Sequence, residues 1–98
     1  MKILAIEKEM CGTALSDFEP HLKDEARAVY ELQQKGDIRE IYFRDDRDEA
    51  VLILEYPDLE SADRVLAKLP LVKNGLIEFE LIPLKPYPGL ARLFAGGD

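Results

Sequence analysis

An α+β fold built on a four-stranded antiparallel sheet is predicted by the hydrophobic patterning of four short segments. Two apolar runs, residues 3–6 and 50–54, contain no polar residues, whereas residues 38–44 and 77–82 alternate apolar with polar or charged side chains. Successive side chains of a strand point to opposite faces of a sheet. The first pair should therefore be central strands covered on both faces, and the second pair should be edge strands.

The first helix follows a strand predicted over residues 2–8 and ends at Lys35-Gly36, because glycine readily adopts the left-handed conformation at a helix end. Ser16 and Glu19 have the spacing of a capping box. Pro20 is tolerated only in the first turn of a helix, so the helix begins either at Ser16 or at Pro20. One stripe at helical spacing contains Phe18, Leu22, Ala26, Val29 and Leu32.

The remaining elements complete a β-α-β-β-α-β order. They are a strand at about 38–44, a hairpin turn at 45–48, a strand at about 49–56, a helix capped by Asp58 and stopped by Pro70, an Asn74-Gly75 turn and a strand at about 76–82. This order predicts the ferredoxin-like arrangement, with both helices on one face of the sheet and the strand order 4-1-3-2. That order places the two wholly apolar strands in the centre.

Composition describes one folded domain and excludes several partners. The 98 residues are 47% hydrophobic and 34% charged, and 20 acidic residues against 13 basic ones give a net charge of −7. A chain this acidic repels phosphate backbones, so we expect no nucleic acid partner, and no apolar run has the length of a membrane helix. Cys11 is the single cysteine and can form no internal disulfide, which favours a cytoplasmic location.

The face of the sheet opposite the helices predicts self-association. Because two helices cover only one face of so small a sheet, we expect a homodimer or a higher homo-oligomer to cover the other. After the domain at residues 1–84, prolines in the segment 85–98 favour an extended arm, and Leu90, Leu93 and Phe94 give it an apolar patch. We expect this arm to pack on a partner subunit. The alternative is packing on its own helices.

Scattered positions resemble the muconolactone isomerase group of dimeric α/β barrels. They are Glu31-Leu32-Gln33, Gly36, Leu69-Pro70-Leu71, Ile77-Glu78, Pro83-Leu84 and Pro88. The resemblance implies a sheet-to-sheet dimer that encloses a barrel, a pocket for a small molecule, and movement of a double bond in a lactone by proton transfer without a cofactor. Ile38 stands where these isomerases carry an aromatic residue, so the substrate itself is not transferred.

Candidate site residues are chosen for proton transfer, which needs a base, an acid or oxyanion donor, and a dry pocket. The candidates are His21, Glu40 and Tyr42 for catalysis and Arg44, Tyr30 and Glu7 for substrate binding. His21 lies at a helix start, where the helix dipole favours neutral imidazole. The alternatives are a solvated His21, edge-strand salt bridges for the strand residues, and core packing for Tyr30.

No metal site is expected, because the acidic group Asp45, Asp46, Asp48 and Glu49 lacks the spacing of a calcium loop and is predicted to be a solvated hairpin tip. The resemblance, together with the candidate residues His21, Glu40, Tyr42 and Arg44, implies a cofactor-independent isomerase of a small organic acid or lactone. The alternative is a non-catalytic homodimer that binds a small metabolite or serves an assembly.

Overall fold

The computed structural model describes residues 1–95, which contain four strands and four α-helices in the predicted β-α-β-β-α-β order. The strands are β1 (Lys2–Glu9), β2 (Ile38–Phe43), β3 (Ala50–Glu55) and β4 (Ile77–Leu84). The helices are α1 (Leu15–Phe18), α2 (Leu22–Gln34), α3 (Leu59–Leu66) and α4 (Pro70–Lys73), with short 3₁₀ segments at Glu19–His21 and Pro88–Phe94.

The sheet is antiparallel throughout and has the order β2-β3-β1-β4, which confirms the ferredoxin-like topology. β4 ends at Leu84, about two residues beyond its predicted end, and Pro83 lies within the strand opposite Ile3. An edge strand tolerates proline, since the missing N–H faces no neighbouring strand.

The two faces of the sheet carry different environments. On β1 and β3, the side chains that point toward the helices are buried, and Ile3, Leu52 and Leu54 are almost fully inaccessible. Their neighbours on the same strands point to the opposite face and are half-buried. We call that opposite side the open face; its apolar side chains include Leu4, Ile6, Val51, Ile53 and Ile82.

The start of the first helix differs from both predicted positions. Helix α1 begins after Ala14, whose N–H donates to the Asp17 carboxylate at 2.8 Å, so Ser16 is not the cap. Pro20 then interrupts the helix, because a proline has no N–H to donate to the preceding turn. The chain forms a 3₁₀ turn there, and regular helix resumes at Leu22.

The second helical segment is also divided. Asp58 caps α3 as predicted, and its carboxylate accepts a hydrogen bond from the Ser61 N–H at 2.7 Å. Pro70 does not stop this helix, which ends at Leu66. Proline is instead the first residue of α4, where its fixed φ angle suits a helix start.

A bulge in β2 directs the side chains of that strand. Ile38 lies opposite Leu54, whereas Glu40 lies opposite Ile53, so Arg39 is an extra residue in the ladder. The extra residue shifts the alternation. It allows Ile38 to face the helices together with the later apolar residues of the strand.

The arm after β4 projects from the domain. Leu90, Leu93 and Phe94 are exposed, and Phe94 retains 85% of its accessible surface, so these side chains do not pack on the chain's own helices. The described residues extend 62 Å along their longest axis. The prediction that the arm packs on a partner subunit stays a prediction, and residues 96–98 of the arm lie outside the described residues.

Candidate functional site

A cleft opens between the helices and the sheet, beside α2 and the end of β2. Its two adjoining parts have volumes of about 330 and 380 Å³. Both parts are lined by Glu7, Leu22, Phe43 and Leu71. We call the two parts together the helix–sheet cleft. Each part lies in the size range of pockets that hold small molecules.

The walls of the cleft are mostly apolar. They include Ala26, Val29, Ile41, Phe43, Leu69 and Phe79. Phe43 retains 66% of its accessible surface, although it points to the helix side of the sheet opposite Ala50. An aromatic side chain that faces the helices yet stays mostly exposed leaves an apolar surface for a ligand.

Glu7 places a carboxylate inside this apolar cleft. It lies on β1 with the same inward orientation as Ile3 and Ala5, and it is only 7% exposed. One carboxylate oxygen accepts a hydrogen bond from the Ala50 N–H at 3.1 Å. Burial raises the pKa of Glu7, the Ala50 bond offsets part of that rise, and the charge of nearby Glu49 raises the pKa further.

Glu25 brings a second carboxylate to the cleft from helix α2. It accepts a hydrogen bond from the Leu71 N–H at 2.9 Å, which ties α2 to the first turn of α4. Burial raises the pKa of Glu25, and the bond from Leu71 offsets part of the rise. The charge of Glu25 also raises the pKa of Glu7, although by less than burial and the charges of Glu49 and Glu9 do.

Glu49 is buried beside the end of β1, which corrects the prediction that it belongs to a solvated hairpin tip. It is only 8% exposed, and its carboxylate accepts a hydrogen bond from the Glu9 N–H at 3.0 Å. The other oxygen lies 3.6 Å from the Arg47 guanidinium and 3.9 Å from that of Arg44. The Glu49 carboxylate is therefore compensated by two arginines, whereas the pKa of Glu7 is raised by burial first and by neighbouring acids second.

Tyr30 and Gln33 supply the remaining polar groups of the larger part of the cleft. Both lie on α2, one and two turns after Glu25. Tyr30 is 52% exposed, which leaves its hydroxyl able to reach a ligand. The predicted binding residues Tyr30 and Glu7 thus line the same cleft.

The other predicted site residues lie elsewhere. His21 occupies the end of the 3₁₀ turn and is half-buried, and the described lining of the cleft does not include it. Glu40 and Tyr42 point to the open face opposite Ile53 and Val51. The Tyr42 hydroxyl donates to Glu40 at 2.8 Å, and this bond raises the pKa of Tyr42.

Arg44 is engaged at the hairpin. Its guanidinium donates to both carboxylate oxygens of Asp46, at 2.9 and 2.6 Å. Across the sheet, Lys8 pairs with Glu80 at 3.3 Å on the open face. The catalytic and binding roles predicted for His21, Glu40, Tyr42 and Arg44 stay predictions, and the structure does not bring these four to one place.

Glu25 is the site residue that sequence reasoning did not select. It lies three residues after Leu22 and four before Val29, so it interrupts the apolar stripe on the buried side of α2. A carboxylate within an otherwise apolar helix stripe was the sequence signal that could have identified Glu25 as a site residue. Its partner, the Leu71 N–H, lies 46 residues away along the chain and has no sequence signature.

No helix within 1–95 is both long enough and apolar enough to cross a membrane. Within the same range, no group of three or more histidine, cysteine, aspartate or glutamate side chains is placed to hold a metal ion.

The strand order and the two helical crossovers define a ferredoxin-like α+β fold of the kind found in muconolactone isomerase. The crystal structure of muconolactone isomerase superimposes with a TM-score of 0.73 at 19% sequence identity, covering 90% of this chain and 92% of that one. The chain therefore has this fold.

A second solved structure gives the same result. It is the 5-chloro-2-hydroxyhydroquinone dehydrochlorinase of Burkholderia phenoliruptrix in complex with 2,5-dihydroxybenzoquinone, with a TM-score of 0.60 and 20% identity over 87% of this chain and 94% of that one. No protein-family profile matches the sequence, and no curated protein matches it. The likeness to these two enzymes establishes the fold.

Proposed function

We propose that this protein is a cofactor-independent isomerase that moves a proton within a small lactone or related organic acid held in the helix–sheet cleft. The observation that carries the proposal is the pair Glu7 and Glu25, two carboxyls with raised pKa on opposite walls of an apolar cleft. Residues in clefts with pKa values shifted by burial are typical of acid–base sites.

The two carboxyls suit the two halves of a proton transfer. Because burial raises the pKa of both carboxyls, each holds its proton more strongly than an exposed glutamate does, and we assign the base role to one as the carboxylate and the donor role to the other as the carboxylic acid. The carboxylate removes a proton from the carbon next to the carbonyl, and the electron pair moves into the enolate. The carboxyl group then returns a proton at the far end of the shifted double bond, and exchange of the carboxyl proton with solvent allows deuterium to enter the product.

The enolate oxygen needs a hydrogen-bond donor while the negative charge is present. We assign this role to the protonated carboxyl, with the Tyr30 hydroxyl as the second donor at the cleft. The names of the two structural neighbours, an isomerase of a lactone and a dehydrochlorinase of a hydroxyhydroquinone, supply the small cyclic substrate class. The apolar walls suit such rings.

Exchange of solvent deuterium into an unsaturated butenolide, followed by proton NMR, tests this proposal. We expect the wild-type protein to accelerate exchange at the carbon between the carbonyl and the double bond. Glu7→Gln and Glu25→Gln should each reduce the rate by about 100-fold, within the usual contribution of a general acid or base. The glutamines still accept the hydrogen bonds from Ala50 and Leu71, so the fold should be retained.

The same assay tests the residues predicted from sequence. His21→Ala and Glu40→Gln are matched variants outside the described cleft lining. Exchange that is lost in these two variants and kept in Glu7→Gln would overturn the assignment of the cleft and favour the first prediction. Exchange that is absent in the wild type would overturn the proposed reaction.

We also propose self-association through the open face, the feature that favours the alternative of a homodimeric binding module. Leu4, Ile6, Val51 and Ile53 form adjacent pairs across β1 and β3 on that face and are half-buried in the single chain. An apolar sheet surface of this kind is stabilised by a second copy of itself. The exposed arm residue Phe94 would add to the contact.

Sedimentation separates these assembly proposals. We expect a dimer or a multiple of a dimer at micromolar concentration. Removal of the residues after Pro88 should weaken association, because Leu90, Leu93 and Phe94 are exposed in the single chain. A wild-type protein that sediments as a monomer would overturn self-association, and a truncated protein that associates as strongly as the wild type would overturn the role of the arm.

A further inference from the structure

The charge of the helix–sheet cleft has one sign. Glu7 and Glu25 line its larger part, and Glu9 and Asp48 are added by the adjoining part. Within residues 1–95, no lysine, arginine or histidine belongs to the lining of either part. A bound molecule therefore meets carboxyl groups, one threonine, one tyrosine, one glutamine and apolar walls.

The arginines of the neighbouring hairpin are already engaged by acids. Arg44 forms a bidentate ion pair with Asp46, and the shortest distance, from its Nη2 to the Asp46 Oδ2, is 2.6 Å. Arg47 lies 3.6 Å from Glu49. A carboxylate ligand in the cleft would have to compete with these acids for either guanidinium group.

We infer that the cleft selects a ring molecule without a carboxylate, either uncharged or carrying a protonated amine, and rejects organic acids. The inference rests on the proposed function only in placing the ligand in the same cleft. It narrows the proposed substrates to lactones and other uncharged or cationic rings. The three aromatic residues that line the larger part of the cleft, Tyr30, Phe43 and Phe79, suit the ring itself.

The cleft should reject a carboxylate ligand because like charges repel strongly where little water screens them. Two unit charges about 6 Å apart, at the effective dielectric constant of about 20 that suits protein sites, repel enough to weaken binding by about 100-fold. Proton uptake by Glu7 or Glu25 would relieve part of this repulsion, so we expect a loss of at least about tenfold. An uncharged ring avoids the repulsion, and an ammonium group is attracted by the same carboxylates.

Three probes with a common ring test the inference: benzyl alcohol, benzylamine and benzoate. Each is titrated into the full-length wild-type protein at neutral pH, and backbone amide shifts are followed by NMR. We expect the alcohol and the amine to shift the amides of Phe43, Leu71 and Phe79 at millimolar concentration. Benzoate should bind at least about tenfold more weakly than benzyl alcohol.

Charge-removing variants show whether the cleft carboxyls cause the selection. In Glu7→Gln and Glu25→Gln, singly or combined, benzoate should gain affinity by about tenfold while benzyl alcohol changes little. Benzylamine should lose affinity in the same variants. Glu60→Gln, an exposed substitution on α3 outside the cleft, is the matched control and should leave all three affinities unchanged.

The outcomes separate this inference from the proposed reaction. Wild-type protein that binds benzoate as tightly as benzyl alcohol would overturn the ligand class, and so would failure of all three probes to bind at millimolar concentration. Selection for the uncharged and cationic probes in a protein that catalyses no deuterium exchange in butenolide would overturn the proposed reaction and leave the ligand class in place.

Discussion

Replacement of Glu7 by glutamine should stabilise the protein at neutral pH and leave its stability in acid unchanged. Below the ordinary glutamate pKa of 4.5 the carboxyl is protonated in both the folded and the unfolded chain, so the side chain causes no difference. As pH rises from there to the raised pKa of the folded state, the unfolded chain releases its proton first. The free energy of unfolding therefore falls through this window and then levels off.

The size of the difference in the free energy of unfolding between Glu7→Gln and the wild type follows from the interactions that the Glu7 carboxylate gains and loses on folding. It gains one hydrogen bond, from the Ala50 N–H at 3.1 Å, and a bond to a charged acceptor contributes about 1.5–3 kcal/mol. Removal of an ion from water costs several kcal/mol, and the charge of Glu49 adds to that cost. The difference should leave glutamine more stable by about 1–2 kcal/mol above the titration window.

Thermal unfolding followed by circular dichroism across pH 4–8 measures this difference. Glu7→Gln should raise the midpoint by about 5–10 °C at the alkaline end, since each kcal/mol shifts a domain of this size by about 4–8 °C. The gap should close toward pH 4. Glu60→Gln is the control for removal of an exposed charge and should show no such divergence. A Glu7→Gln variant that is less stable than the wild type at pH 8 would refute the reasoning.

Three other perturbations test separate parts of the structure. Glu25→Ala should destabilise the protein by about 1–3 kcal/mol in urea unfolding, because the Leu71 N–H loses its acceptor, whereas Glu25→Gln should retain most of the stability; equal losses in both variants would contradict this explanation. Asp58→Ala removes the acceptor for the Ser61 N–H and should cost about 0.5–2 kcal/mol, so an unchanged urea midpoint would show that the cap contributes nothing. Ile53→Lys places a charge on the open face and should shift the sedimentation coefficient to that of a monomer, and a variant that still associates would place the interface elsewhere.

The sheet could be predicted from sequence because its signal is local. An uninterrupted apolar run such as 50–54 is typical of a central strand, and this placed β1 and β3 in the centre. The start of the first helix was not predictable in the same way. Asp17 caps the helix through the Ala14 N–H, and no rule based on Ser16 and Glu19 indicates that choice.

The site depended more strongly on tertiary packing. Alternation along β1 shows that Glu7 shares a face with Ile3 and Ala5, but burial of its carboxylate depends on where α2 lies. Glu49 follows a charged hairpin in sequence, yet the Glu9 N–H and two arginines hold it inside. The partner of Glu25 comes from α4, so the carboxyl pair of the cleft exists only after the chain has folded.

The proposed acid–base role of the cleft requires two carboxyls that hold their protons more strongly than ordinary glutamates do. Carbon-13 NMR of the side-chain carboxyl groups of Glu7 and Glu25, followed through a pH titration of the wild-type protein, measures this property directly. We predict that both midpoints lie above 4.5. Midpoints at or below 4.5 for both residues would contradict the account, because the cleft would then hold two solvated carboxylates in place of an acid–base pair.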